Sequence, residues 1–236
     1  MTAAALRRTC LALLLGAASG GAFSQDTVYE NCRRGDGIGK CYMGREIAQV
    51  MGHLGAAWLD RPEREAEEAP SLLIRNLGLE PDNVVADVGA GTGYFALRIA
   101  PLVPQGKVLA VDVQPEMLQI LEHKRREARL RNVQPMLGKP DDPRLPPGSV
   151  DLVLMVDVYH EFAYPREMMQ AIVRALKPGG RVALVEYREE DPRVPIRPSH
   201  KMSQMQAKAE MAAVGLTWTR TLDVLPWQHL MLFERR

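Results

Sequence analysis

The sequence predicts an α/β fold built on a doubly wound, mainly parallel sheet. Three observations carry that expectation. From Asn83 onward, short Val-rich segments alternate with amphipathic ones, the rhythm of strands crossing over through helices. The first Val-rich segment runs into a glycine loop, "DVGAGTGYF" at 87–95, which suits a sharp strand-to-helix turn. The second ends on an acid, Asp112 in "VLAVDVQPEML". With 236 residues, 46% of them hydrophobic, the chain can bury one full core and carry a small appendage.

The elements follow in order. "NVVADVG" reads as a short buried strand, and "YFALRIAPLV" as a helix closed by Pro101 and Pro104. "GKVLAVDV" is the second strand. "PEMLQILEHKRREARL" begins with Pro115 in a first turn and sets Met117, Leu118, Leu121 and Ala128 on one helical face. "VQPMLG" is the third strand and "SVDLVLMVD" the fourth. "REMMQAIVRAL" is a helix stopped by "KPGG", "GRVALVEY" the fifth strand, and "HKMSQMQAKAEMAAVG" another helix. "LTWTRTLDVL" and "WQHLMLFER" are two last strands separated only by "PW", which predicts an antiparallel edge. Before residue 80, "GREIAQVMGHLGAAWL" and "SLLIRNLGL" read as helices joined by the acidic "DRPEREAEEAP".

Residues 1–24 read as a secretory signal: Arg7 and Arg8, an apolar middle through Leu11–Leu15, and Ala22-Phe23-Ser24 before a cut at Gln25. A periplasmic or secreted protein is expected, with an uncleaved membrane anchor as the alternative. After cleavage no stable membrane insertion is expected. The remaining chain carries 28 basic against 29 acidic residues, no electrostatic footprint for nucleic acid. Cys32 and Cys41 flank the loop "NCRRGDGIGKC" and suggest one disulfide in an exported protein, two free thiols otherwise.

Gly89, Gly91 and Gly93 give a G-x-G-x-G spacing that lets a ligand lie against bare amides. A nicotinamide fingerprint wants a longer last interval, and position 94 is Tyr. Asp112 can accept hydrogen bonds from ribose hydroxyls or cap the Pro-led helix that follows.

The segments "VVADVGAGTGYFALRIA", "VLAVDVQPEML", "SVDLVLMVDVYHEF" and "LKPGGRVALVEY" together resemble the successive motifs of class I S-adenosylmethionine-dependent methyltransferases, over residues 70–236. The resemblance implies a Rossmann-like sheet of seven strands in the order 3-2-1-4-5-7-6, the seventh antiparallel. It implies that Asp87 and Gly89, Gly91 and Gly93 line the methionine end of the cofactor, with Asp157 beside them. Asp112 is then the ribose ligand, with Val113 and Met117 near the adenine. Asp141 stands where such enzymes hold an acid for the adenine amino group, although Lys139 replaces an Asp common in relatives. Residues 25–69 resemble the N-terminal part of exported bacterial relatives and are expected to form a helical lid, or a pad over apolar sheet surface.

At the end of the fourth strand, "DVYHEF" replaces the Asn/Asp-Pro-Pro-Tyr of base- and amide-methylating relatives, which points to a small-molecule acceptor. His160 is the candidate general base there, oriented or replaced by Glu161; the plainer reading has Tyr159–Phe162 simply closing the strand end. His53, His200 and His229 are scattered along the chain without ligand spacing, so no metal is expected. "REEDPRVPIRPSHKMS" is expected to edge the acceptor pocket. The expected activity is methyl transfer from S-adenosylmethionine to a small molecule. The alternatives are an exported S-adenosylmethionine- or nucleoside-binding module without transfer, and an NAD-type oxidoreductase.

Overall fold

The computed structural model describes Met1, residues 28–33 and residues 35–235. The expected leader, beyond Met1, lies outside the described residues. Seven strands form the central sheet: β1 (Val84–Val88), β2 (Lys107–Asp112), β3 (Val133–Leu137), β4 (Val150–Val156), β5 (Leu176–Arg188), β6 (Leu216–Leu222) and β7 (Gln228–Arg235). Their spatial order is β6-β7-β5-β4-β1-β2-β3, the expected 3-2-1-4-5-7-6 read from the other edge. Pairing is parallel from β3 through β5, and β7 runs antiparallel to both β5 and β6.

Side-chain alternation along the strands builds two cores. Ala86, Val88, Val153 and Met155 face one side, where they pack with Met168, Met169 and Ile172 of α3 (Pro165–Ala175) and Ala207 and Met211 of α4 (Gln204–Ala212). Val85, Leu152 and Leu154 face the other, against Phe95, Ala96 and Ile99 of α1 (Tyr94–Ile99) and Leu121 of α2 (Pro115–Glu127). Strand order reverses between β1 and β4, so their carboxyl ends diverge and open a crevice. A two-residue strand, Lys201–Met202, adds to the end of β5 through the pairs Tyr187↔Lys201 and Arg188↔Met202. It carries His200 to the rim of that crevice.

The N-terminal part differs from the helical expectation. Residues 44–59 do not form one helix: Arg45–Glu46 is the third strand of a ribbon with Tyr29–Asn31 and Lys40–Tyr42. The backbone donors that a helix would use internally are taken elsewhere. Ile47 N–H donates to the Lys40 carbonyl and Ala48 N–H to the His160 carbonyl, 2.9 and 3.0 Å. That stretch holds only a 3₁₀ turn at His53–Gly55 and a short α-helix at Ala56–Leu59, whereas the acidic segment expected as a linker holds a helix at Arg64–Glu68. Pro70–Arg75 is helical as expected.

Cys32 and Cys41 form a disulfide within the ribbon, with Cα atoms 5.7 Å apart. The ribbon is bolted to the end of β4. Arg45 makes a two-pronged ion pair with Glu210 at 2.8 and 2.9 Å, and Tyr159 donates to the same carboxylate at 2.6 Å. Lys40 Nζ donates to the Ala163 carbonyl at 2.6 Å, and the Tyr29 hydroxyl bonds Glu167. Among the described residues no helix is long and apolar enough to cross a membrane.

Candidate active site

At the carboxyl ends of β1, β2 and β4 lies a cavity of about 730 Å³, within the usual range for small-molecule sites. Its floor is the glycine loop. Gly89, Gly91 and Gly93 all adopt positive φ, which a side chain tolerates poorly. A Cβ on Gly89 would come within 2.4 Å of Val158, and one on Gly91 within 2.6 Å of Leu59. The loop is therefore pinned between the end of β4 and the N-terminal segment.

Asp112 closes β2 with its carboxylate turned back onto the loop. It accepts from the Gly91 N–H at 2.8 Å and the Gln114 N–H at 2.9 Å. Burial pushes its pKa up, and those amides work against the shift. α2 carries no side-chain cap at its start, so Asp112 braces the loop and does not cap the helix. Val113 and Met117 also line the cavity. Gln114 ties the roof to this floor: its side chain accepts from His53 N–H and donates to the Met51 carbonyl, 2.8 and 2.9 Å.

Asp87 is buried beneath the loop beside a recess of about 30 Å³ shared with Arg64, Gly89 and Tyr94. Its Oδ2 has no hydrogen-bond partner. Burial pushes its pKa up to about 7; the Ala96 N–H and Arg64 oppose this and the Asp112 charge adds to it. Asp157, at φ 50°, lines the main cavity with Oδ1 unpartnered while Oδ2 accepts from Gln228 Nε2 at 2.6 Å. Burial, with the Glu68 and Glu186 charges, holds its pKa well above the carboxylate range. Two expected ligands, Gly93 and Asp141, lie outside the lining of both cavities; Gly93 packs on Leu121 of α2. The Lys139↔Asp142 bridge makes a tight turn that presents Lys139 and Pro140 to the cavity and leaves Asp141 exposed outside its lining.

Opposite Asp112 stand His160 and Glu161, on a 3₁₀ turn after β4. His160 Nδ1 lies 2.5 Å from Glu186 Oε2, and Glu186 Oε1 accepts the Tyr159 N–H at 2.9 Å. A carboxylate can only accept there, so Nδ1–H donates to Glu186 and the lone pair of the neutral ring sits on Nε2. Nε2 points at His200 Nδ1, 3.0 Å away. Glu161 Oε1 lies 3.6 Å from His200 Nδ1 and accepts from Met51 N–H at 3.3 Å. Burial raises Glu161 to about 7, with His160 and the Met51 amide opposing; burial and His160 lower His200. His53 and His229 lie elsewhere, the latter bonded to Glu190 at 2.8 Å.

Two residues of the site were not singled out by the sequence, Glu186 behind His160 and Arg64 in the cavity lining. Glu186 sits inside the apolar run "VALVEY", and a buried acid in such a strand is itself a flag. Arg64, buried and paired with Glu68 at 2.6 Å, comes from a segment expected to be a solvated linker. The N-terminal part roofs the cavity through Met51, Trp58, Leu59 and Arg64, so it covers the site and not only sheet surface.

Known proteins share this architecture. A methyltransferase-domain family matches residues 86–182. An uncharacterised methyltransferase-like protein of Schizosaccharomyces pombe is 38% identical over 113 residues, 48% of this chain and 41% of its own length. A malonyl-[acyl-carrier protein] O-methyltransferase of Methylococcus capsulatus is 30% identical over 142 residues, 60% of this chain and 50% of its own. The chain thus spans about half the length of the curated relatives it matches. In structure, an S-adenosylmethionine-dependent methyltransferase from Aquifex aeolicus superposes with a TM-score of 0.75, covering 79% of this chain and all of that one at 24% identity. That likeness is one of fold.

Proposed function

We propose that the chain is a class I S-adenosylmethionine-dependent methyltransferase, a reading supported by the methyltransferase-domain match over residues 86–182 and by the shared fold, and that it methylates a small molecule through an O–H, N–H or S–H group whose proton must be removed. The observation that carries this reading is the single cavity shared by the Asp112–glycine-loop floor and the His160–Glu161 rim.

The residues present fit the cofactor. It brings an ammonium and two ribose hydroxyls, all donors, and Asp87 Oδ2 and Asp157 Oδ1 are buried acceptors without partners. Asp112 has acceptor capacity beyond its two amide bonds. Asp87 would hold the ammonium, Asp112 the ribose, Val113 and Met117 the adenine, and Arg64 suits the carboxylate. Bound there, S-adenosylmethionine supplies a methyl group on a sulfonium, which leaves its electron pair on sulfur as the acceptor's lone pair forms the new bond.

The chain's own work is positioning and proton management. Glu186 fixes the His160 ring so that Nε2 faces the cavity, and Glu161 and His200 complete a rim able to favour the deprotonated acceptor. The disulfide suits an oxidising compartment, and we infer that the chain works outside the cytoplasm. Calorimetry with S-adenosylmethionine and its demethylated product tests the cofactor, and mass analysis of an acceptor panel tests transfer. A folded protein that binds neither ligand would refute the reading.

A further inference from the structure

The acceptor rim holds more than a base needs. His160 Nε2 and His200 Nδ1 are 3.0 Å apart, His200 Nδ1 and Glu161 Oε1 3.6 Å, and His160 Nε2 and Glu161 Oε1 4.0 Å. A single point lies about 2.1 Å from all three atoms, the distance at which Zn²⁺ takes imidazole nitrogen and carboxylate oxygen. Behind the first ligand, Glu186 bonds His160 Nδ1 at 2.5 Å, the arrangement that orients a metal-ligating histidine.

We propose that His160, Glu161 and His200 bind one divalent transition-metal ion, with coordination positions open to the cavity for an oxygen or sulfur atom of the acceptor. Two imidazoles and one carboxylate suit the first-row ions Zn²⁺, Fe²⁺, Co²⁺ and Mn²⁺. Charge favours a dication as well. Glu161 and Glu186 bring two carboxyl groups, and among the described residues neither is ion-paired to a Lys or Arg. Of the cations around the cluster, Arg45 of the ribbon is committed to Glu210 and to the His160 carbonyl, and Arg197 at the cavity edge pairs with Asp36.

The proton that burial favours on the Glu161 carboxyl leaves to solvent as the ion binds. His160 keeps Nδ1–H toward Glu186 and already offers the Nε2 lone pair. His200, which donates from Nδ1 to that lone pair when no ion is present, exposes its own lone pair by moving the proton to Nε2 through solvent; its side chain is 24% exposed. The ligands are also held from three sides. The Met51 amide fixes Glu161, the ribbon fixes the His160 carbonyl, and the short strand after His200 pairs with β5. An acceptor hydroxyl or thiol bound to a dication gives its proton to water more readily. That last role rests on the methyl-transfer reading; the binding site rests on the geometry alone.

The test titrates the untagged full chain, stripped by chelator, with Zn²⁺ and Co²⁺, following heat and the cobalt absorption spectrum. One ion per chain is expected. His160→Ala and His200→Ala should each weaken binding about 100-fold or more, and Glu186→Gln about 10- to 100-fold. His123→Ala, on the exposed face of α2, should change nothing. Thermal melts of the ion-free variants check the fold, and His200 on its exposed turn keeps the test open if His160→Ala unfolds. No one-to-one binding by the folded wild type, or wild-type affinity in His200→Ala, overturns the proposal. Parallel titration with S-adenosylmethionine separates the two ideas: cofactor binding without metal binding sinks only the metal site, and the converse sinks only the cofactor reading.

Discussion

Asp87 gives the sharpest pH test. Its folded-state pKa of about 7 stands roughly 3 units above the value of about 3.9 for an unperturbed Asp. The folded state therefore holds this proton more tightly than the unfolded chain does. The sign follows from linkage: the penalty is absent below about pH 4, grows as pH rises from 4 to 7, and is constant above. At 1.36 kcal/mol per unit, ionised buried Asp87 costs on the order of 4 kcal/mol at neutral pH. Asp87→Asn removes the titration and keeps the shape. Urea melts across pH 4–8 should show the variant gaining stability over wild type through that window, by up to about 4 kcal/mol. Other raised carboxyls, Asp157 and Glu161, bend both curves alike, so the difference isolates Asp87. Cofactor affinity should move the other way. An ammonium beside Oδ2 favours the ionised carboxylate, so wild-type affinity for S-adenosylmethionine should rise with pH toward 7 and the Asn variant should bind weakly with a flat profile. Parallel stability curves with equal affinities would refute both the burial argument and the ammonium assignment.

Asp112→Ala deletes the acceptor of the Gly91 and Gln114 amides and should lower cofactor affinity at least about tenfold, by calorimetry; an unchanged dissociation constant removes the ribose assignment. Gly89→Ala forces a Cβ into Val158 at positive φ and should cost about 1–3 kcal/mol in denaturant melts, with cofactor binding lost. Gly91→Ala meets only the flexible tip of Leu59, so Leu59→Ala in the same chain should recover part of its loss in affinity; no recovery means that the N-terminal segment does not press on the loop. Reduction of Cys32–Cys41 should cost roughly 2–3 kcal/mol by chain entropy, read as a lower melting temperature in dithiothreitol that a Cys32→Ser/Cys41→Ser variant reproduces without reductant.

The sheet, its strand order and the glycine loop were legible because their signals are short-range or travel together. Val-rich strands, Pro-led helices, a positive-φ glycine turn and an acid closing β2 are each written within a dozen residues. Helix 44–59 failed for the opposite reason. Its apolar spacing is helical, yet Ile47 and Ala48 gain more by bonding the Lys40 and His160 carbonyls and burying against them, a tertiary choice that overrides local pattern. Asp141 stands outside the cavity lining because the Lys139↔Asp142 bridge turns it outward, a local geometry that its place after β3 does not encode.

By itself, then, the sequence determined the α/β class, the glycine turn after β1 with Asp87 before it and Asp112 closing β2, and the place of His160 and Glu161 just past β4. Only the tertiary structure decided what His160 can do there. Its partners stand 26 and 40 residues away, Glu186 on β5 and His200 at the turn that adds a strand to it. Parallel pairing of β4 with β5 puts Glu186 behind the ring, and no local spacing encodes a contact made between strands through a crossover.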